Sequence, residues 1–349
     1  MKYTYLVYPK NPNLHHSPVT FAAALALEFD RETMQIDKLS KINFSTSLDL
    51  IKKVATANHD DPISVFFFST QPEYIVLIFV LRCVSYILQK DLKIYHQMHE
   101  PTYEKGRSSL KTTLLVYWSN FILSRLADRI ILSSQQAVSK GEKFIDQSKI
   151  VQINLVFSSH NKHELTTSLA SLAQSWGKLT TISLIGIAAK DKNPEGFLAL
   201  ANIANRTYPD RMKFIRAGWD KDVKLDYNYE KIVHFPGYIS NSAKKFLLSL
   251  THVIVIPYSF STQSGVISEA LSYGKIVILN DIPAFDHFRH LKSVFTINFN
   301  DREQIAACLS QISAMSVAEY ESCYWESIDY FNQHNSVTYL KERLGDLVL

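Results

Sequence analysis

Short, nearly continuous apolar runs alternate along this chain with longer stretches whose apolar residues recur every three or four positions. Runs such as 63–68 (ISVFFF), 253–257 (VIVIP) and 276–280 (IVILN) lack the in-and-out alternation of a half-solvated strand. They therefore predict strands covered on both faces, which means parallel sheets with crossover helices. In the first half the strands fall at 3–8, 63–68, 93–97, 129–133 and 149–153; in the second half the rhythm restarts at 181–186, 212–217, 232–235, 253–257, 276–280 and 293–297. A first helix is expected over 17–29, with Ser17 as cap and Pro18 at the first helical position. The Ser/Thr/His/Asn-containing string SSHNKHELTTS, between Leu155 and Leu179, reads as a linker. Two amphipathic helices, around 317–332 and 337–347, complete the pattern.

Length agrees with this division, since 349 residues fit two domains, and 46% apolar against 20% charged residues supports well-filled cores. Ten Gly and eleven Pro exclude collagenous and low-complexity architectures, and Cys83, Cys308 and Cys323 lie too far apart for a disulfide scaffold or a zinc ribbon. A reducing compartment fits, and with no export signal near the first residues the expected location is cytoplasmic. The longest apolar stretch, 74–88, is interrupted by Arg82 and falls short of the roughly 20 residues that span a bilayer, so a buried or interfacial helix is expected there. Charge is unevenly placed: residues 1–160 hold 18 Lys and Arg against 14 Asp and Glu, whereas 161–349 hold 19 against 19. Within 105–129, Leu110, Leu114, Tyr117, Trp118, Phe121, Ile122 and Leu126 share one helical face, with Lys105, Arg107, Lys111 and Arg125 around it. That mixture suits an anionic membrane surface; no nucleic-acid recognition motif accompanies the modest positive balance.

The most informative stretch is 257–281, PYSFSTQSGVISEALSYGKIVILND. A buried strand ends in a small polar loop, a helix begins near Gln263, Ser264 and Gly265, and another strand follows Gly274. Ligands of parallel sheets sit at the carboxyl ends of strands, and the free amides of a helix N-terminus attract phosphate. Ser264 and Gly265 let an anion approach the backbone. Glu269 falls on the second turn, where its carboxylate either accepts hydrogen bonds from the two vicinal hydroxyls of a ribose or simply faces solvent.

These residues resemble the donor domain of retaining GT-B glycosyltransferases, specifically family 4, through Gly265-Val266-Ile267-Ser268-Glu269-Ala270-Leu271-Ser272-Tyr273-Gly274-Lys275-Ile276-Val277-Ile278. Upstream, Ser183-Leu184-Ile185-Gly186 with Lys192-Asn193-Pro194-Glu195-Gly196 is similar to that family's strand–Gly–Lys–Gly–helix element. Phe214–Gly218 and Phe235-Pro236-Gly237-Tyr238-Ile239 resemble its next two segments. The resemblance implies two Rossmann-like domains facing across a cleft: an acceptor domain at 1–158, a nucleotide-sugar donor domain at 159–335, and a final helix, 336–349, crossing back onto the first. It implies Gly186, Lys190, Lys192, Gln263, Ser264, Gly265 and Glu269 around the donor, with Lys190 or Lys192 neutralising its diphosphate. His99, with Glu100 beside it in Tyr95-His96-Gln97-Met98-His99-Glu100-Pro101, would face the donor sugar. His15 and His16 lie where the family has a Gly-rich loop, which is missing here.

One departure concerns the family's Glu-x7-Glu signature, whose first carboxylate would fall on Ser261. The nucleotide role survives that loss, while the sugar-contacting role loses its residue; the string Thr262-Gln263-Ser264-Gly265 resembles a variant in polysaccharide-assembling members. Asp60-Asp61 precedes a strand and is at the wrong end for a site, so no metal and no cofactor beyond the donor substrate is expected. P-loop, G-x-G-x-x-G, G-x-S-x-G and H-E-x-x-H patterns are missing from the sequence. The resemblance therefore implies transfer of a sugar from a nucleotide diphosphate-sugar to a glycan or lipid-linked saccharide, with retention, in cell-surface polysaccharide synthesis. A nucleotide-sugar epimerase on the same fold and a non-catalytic glycan- or nucleotide-binding relative are the alternatives.

Overall fold

The structure is a computed structural model that describes residues 2–7, 34–39, 44–58, 60–68, 72–98, 101, 110–157, 159–221, 223, 225, 227, 232–261 and 264–348. The chain divides into two units, Met1–Ser158 with His334–Leu349, and Ser159–Gln333. Each is built on a six-stranded sheet in which every pairing is parallel.

In the first unit the strands are β1 (Lys2–Val7), β2 (Met34–Leu39), β3 (Ile63–Phe68), β4 (Leu92–Met98), β5 (Arg129–Leu132) and β6 (Ile150–Gln152), in the order β2-β1-β3-β4-β5-β6. Alternate residues serve opposite faces. Tyr5, Val65, Phe67, Ile94 and Ile130 meet Leu50 and Val54 of α1 (Phe44–Thr56), Leu77 and Leu81 of α2 (Glu73–Ile87) and Leu123 of α3 (Leu110–Leu126). After β5 the short α4 (Gln135–Gly141) is capped by the Ser134 hydroxyl, which accepts from the Ala137 N–H at 3.0 Å. On the opposite face Leu6, Phe66, Phe68, Tyr95 and Ile131 pack against Tyr339, Leu340 and Leu344 of α11 (Val337–Val348). The Tyr95 hydroxyl donates to the Leu347 carbonyl at 2.7 Å, and Phe66 stacks on Tyr95. The helix expected to cross back onto the first domain does so.

The second unit starts with α5 (Lys162–Ser175) and continues β7 (Thr180–Ile185), α6 (Pro194–Thr207), β8 (Met212–Gly218), β9 (Ile232–Pro236), α7 (Asn241–Leu250), β10 (Val253–Ile256), α8 (Gly265–Ser272), β11 (Ile276–Asn280), β12 (Val294–Ile297), α9 (Arg302–Ala314) and α10 (Val317–His334). The strand order β12-β11-β10-β7-β8-β9 reverses direction between β7 and β10. In such sheets that switch point is where a crevice opens at the carboxyl ends of the strands. Ile182, Val253, Val255, Ile276 and Ile278 form the core with Phe197 and Leu200 of α6 and Tyr320 and Tyr324 of α10. Gly274 turns the chain into β11 at φ +66°, where a Cβ would lie 2.5 Å from the Tyr324 ring. The next residue, Lys275, is 0% exposed, and its ammonium has no hydrogen-bond partner among the described residues.

The segment read as a linker is mostly α5. Asn161 caps it by accepting from the Glu164 N–H at 2.8 Å, and Leu165, Leu169 and Leu172 recur at helical spacing to enter the core, which outweighs the surrounding Ser and Thr. β2, which the apolar pattern does not pick out, is an edge strand with Asp37 and Lys38 in its sequence MQIDKL. The helix expected over 17–29 lies outside the described residues.

Candidate functional site

At the switch point, β7 ends just before Gly186 and β10 just before Pro257. Gly186 has φ +118°, and nothing lies within 4 Å of where its Cβ would be. Its left-handed backbone is thus uncovered on that side, which a β-carbon would close off. The following loop makes a 3-10 turn over Lys190–Lys192 and then an αL residue, Asn193 (φ 44°), before Pro194 opens α6. Lys190 is exposed. Lys192 is half-buried, with its ammonium 3.9 Å from the centre of the Tyr258 ring and 3.8 Å from the Asp191 carboxylate. A cation–π contact of this kind holds the charge in place without consuming it. Backbone and hydroxyl of Ser259 both donate to the Asp191 carbonyl, at 3.1 and 3.2 Å, and so lash the β7 loop to the β10 loop. Burial pushes the Tyr258 phenol up to about 12, against a smaller pull from the Ser264 hydroxyl.

Ser264 is the N-cap of α8 and Gly265 its first residue; the Ser264 hydroxyl makes no cap hydrogen bond. The amides at such a helix end attract an anion. Ser261, standing where the family signature has its first carboxylate, is buried. Gln263, like Thr262, lies outside the described residues. Glu269 does not face solvent. Its carboxylate is 2.8 Å from the Lys244 ammonium of α7, and both side chains are largely buried. Just beyond it the His160 and Tyr273 rings touch, 4.1 Å between centres. Burial raises Tyr273 to about 12, with the Glu269 charge adding to the rise, and burial lowers His160.

A second polar assembly underlies the glycine turn. Arg216, near the end of β8, is 0% exposed. One guanidinium nitrogen donates to the Gly186 carbonyl at 2.9 Å; the other donates to the Asp220 carboxylate at 2.7 Å and the Trp219 carbonyl at 3.3 Å. The Tyr227 hydroxyl donates to Asp220 at 3.1 Å, and His234 of β9 lies 3.8 Å from the same carboxylate. Burial raises Tyr227 to about 12; it lowers His234, which the Asp220 charge partly offsets. The Gly218 backbone passes so close that a Cβ would lie 1.9 Å from the Gly186 carbonyl oxygen. Arg216 had a signal in the sequence, a charge flanked by Phe214, Ile215 and Ala217 in a strand run. Lys244 had no such signal, since Lys244-Lys245 on a polar helix reads as solvated.

The structure thus gathers Gly186, Lys190 and Lys192 with Tyr258, Ser264 and Gly265 at the carboxyl edge of the second sheet, and Glu269 one turn further along α8. His99 and Glu100 lie outside the described residues, immediately after the last residue of β4, Met98; His15 and His16 lie outside them as well. Among the described residues no group of three His, Cys, Asp or Glu side chains comes together as a metal site.

Residues 181–314, which contain this constellation, match the family model described as glycosyl transferases group 1. No curated protein matches the chain. Among solved structures, it is similar to Anabaena Alr3699/HepE in complex with UDP and glucose, at 12% identity and TM-score 0.64 over 98% of both chains. It is similar also to an E. coli trehalose-6-phosphate structure bound with UDP-2-fluoro glucose, at 12% identity and TM-score 0.64 over 99% of this chain and 98% of that one. A third is an alpha,alpha-trehalose-phosphate synthase (UDP-forming) from Burkholderia vietnamiensis, at 11% identity and TM-score 0.64 over 99% of both. Identities this low speak to architecture alone, and the architecture they establish is GT-B, with two Rossmann-like domains each carrying a parallel sheet.

Proposed function

We propose that this protein is a retaining, family 4-like glycosyltransferase that moves a hexose-type sugar from a nucleoside diphosphate-sugar to a glycan or lipid-linked saccharide during surface polysaccharide assembly. The observation that carries the reading is the placement of an open glycine turn, a braced lysine and a helix N-terminus beginning at Ser264 and Gly265 together at the switch point of a domain that matches the group 1 family model. These groups suit a diphosphate: the α8 amides and Lys192 would stabilise the negative charge that grows as the nucleotide departs. The departing phosphate would take the acceptor proton, so the reading needs neither a metal nor a further cofactor. Glu269 would accept from the ribose hydroxyls, exchanging part of its contact with Lys244 for them. His99 and Glu100, after β4, are proposed to face the sugar. The basic first half fits an acceptor at an anionic membrane, on the cytoplasmic side.

Since two of the similar structures contain UDP or UDP-2-fluoro glucose, UDP-sugars head the donor panel. Nucleotide release that requires an added saccharide acceptor supports transfer; turnover without acceptor would instead identify an epimerase, and binding without turnover a non-catalytic relative, the alternative that Ser261 suggests. Glu269→Gln should weaken donor binding about tenfold or more, because two charge-assisted hydrogen bonds at about 1.5–3 kcal/mol each become neutral ones. Titration calorimetry with UDP checks this, and unchanged affinity in the folded variant would remove Glu269 from the site.

A further inference from the structure

A surface on the first unit plays no part in the donor site. Helices α1, α2 and α3 lie side by side on one face of the first sheet. Arg82 of α2 fastens its neighbour, donating to the Leu126 carbonyl of α3 at 3.0 and 2.8 Å and to Asp128 at 2.7 Å. Inward, these helices present Tyr74, Leu77, Ile78, Leu81 and Leu123 to the core. Outward, where a helix of a soluble domain ordinarily turns polar, α2 carries Phe79 at 58%, Tyr86 at 87% and Ile87 at 73% exposure. α3 adds Leu114, Leu115 and Trp118, the last 55% exposed. Single exposed apolar residues are ordinary, but a set this large on two adjoining helices marks a surface that something covers.

The charges around this surface say what covers it. Lys111 and Arg125 stand exposed near the two ends of α3, Arg125 lying 5.1 Å over the Phe121 ring, and Lys52 is exposed on α1. Against them stand Glu73 at the start of α2 and Asp49, which is already paired with Lys53 at 3.3 Å. Two copies of the chain meeting symmetrically through this face would bring cations onto cations. An anionic lipid surface would meet them with phosphates while the aromatic and aliphatic tips enter the headgroup boundary. No helix among the described residues is long and apolar enough to cross a bilayer.

We propose that α2 and α3 together form a face that lies in the surface of an anionic bilayer, with Phe79, Tyr86, Ile87 and Trp118 inserted and Lys52, Lys111 and Arg125 at the phosphates. The sequence pattern marked one face of 105–129 and read 74–88 as a buried or interfacial helix; in the structure Tyr117 and Phe121 pack partly against the core, and α2 supplies the most exposed residues. The proposal is independent of the donor chemistry. Its test is flotation of the full chain with phosphatidylglycerol-containing vesicles, with pure phosphatidylcholine vesicles as comparison, at low and high salt. Binding to the anionic vesicles alone, weakened by salt, is expected. Phe79→Ser with Ile87→Ser on α2, and Lys111→Glu with Arg125→Glu on α3, should each reduce it about tenfold or more. Far-ultraviolet circular dichroism and UDP binding serve as fold controls, and Trp118 emission should shift to the blue on vesicles, a shift that Trp118→Phe abolishes. Lack of binding at low salt, equal binding by the α2 variant, or a dimer in light scattering that the α2 substitutions dissociate would each overturn it.

Discussion

Arg216→Met should destabilise the second unit by about 3–5 kcal/mol and abolish nucleotide binding at concentrations that saturate the unaltered protein. The methionine fills similar volume, so the loss reports the guanidinium. Without it the Asp220 carboxylate keeps Tyr227 as its donor but loses the guanidinium, the Gly186 carbonyl loses the Arg216 donor, and the Trp219 carbonyl is left with the Ala188 N–H. The bracing extends into the loop beyond: the Ala188 N–H donates to the Trp219 carbonyl at 2.8 Å, and the Lys221 N–H donates to the Ala188 carbonyl at 2.7 Å. Releasing Arg216 therefore loosens the turn that precedes Lys190 and Lys192. Arg216→Lys should recover only part of the stability, because an ammonium cannot reproduce the planar fork that spans Gly186 and Asp220. Urea unfolding of both variants is the measurement; a midpoint equal to that of the unaltered chain would show that this network is dispensable.

Lys275→Met should stabilise the second unit, and by an amount that depends on pH. Burial without a partner pulls the Lys275 ammonium from an ordinary 10.5 down to about 7. Below pH 7 the amine is protonated in both folded and unfolded chains, so the full cost of burying the charge is present. Between about 7 and 10.5 the unfolded chain binds the proton and the folded chain does not, so stability climbs as pH rises. Above that range both are neutral. Methionine removes the cost, giving about 4 kcal/mol in mildly acidic solution and almost nothing near the top of the range. His252, held down to about 4 by burial, works in the same sense at lower pH. Its Nδ1 accepts from the Thr181 N–H at 2.9 Å, so Nε2 carries the proton and donates to the Leu172 carbonyl at 3.1 Å. Unfolding curves for Lys275→Met at several pH values decide the matter: a gain independent of pH would mean that packing, not charge, limits this position.

What could be read in the sequence follows from how each signal arises. The strands of a parallel sheet are buried on both sides, so runs such as 253–257 and 276–280 announce themselves; the second coincides with β11 and the first exceeds β10 by one residue. β2 is an edge strand with charges in its sequence and carries no such run. In α5 the three core leucines are present, but Ser, Thr and His between them resemble loop composition, and only the Asn161 cap betrays the start. Gly186 and Gly265 drew attention in the sequence because glycine stands where a backbone is to be approached. Partners across elements were not: nothing in Lys244 or Glu269 alone says that α7 and α8 bring them within 2.8 Å. The same holds for the outward faces of α2 and α3, since an apolar helix reads identically whether its second side meets protein or stands open.

The placement of α11 on the first sheet bears on the order in which this protein matures. Residues 337–348 complete the far side of a core whose strands begin at residue 2, with the whole second unit between them in the chain. A ribosome delivers β1 through β6 long before it delivers Tyr339, Leu340 and Leu344, and for that interval Leu6, Phe66, Phe68 and Tyr95 lack the helix that covers them. The nascent first unit must therefore wait with one sheet face uncovered while the second unit, whose residues are continuous in the chain, can close by itself. Chaperone binding and aggregation during synthesis should concentrate on that waiting face, and pulse-labelled chains should acquire protease resistance in the second unit before the first.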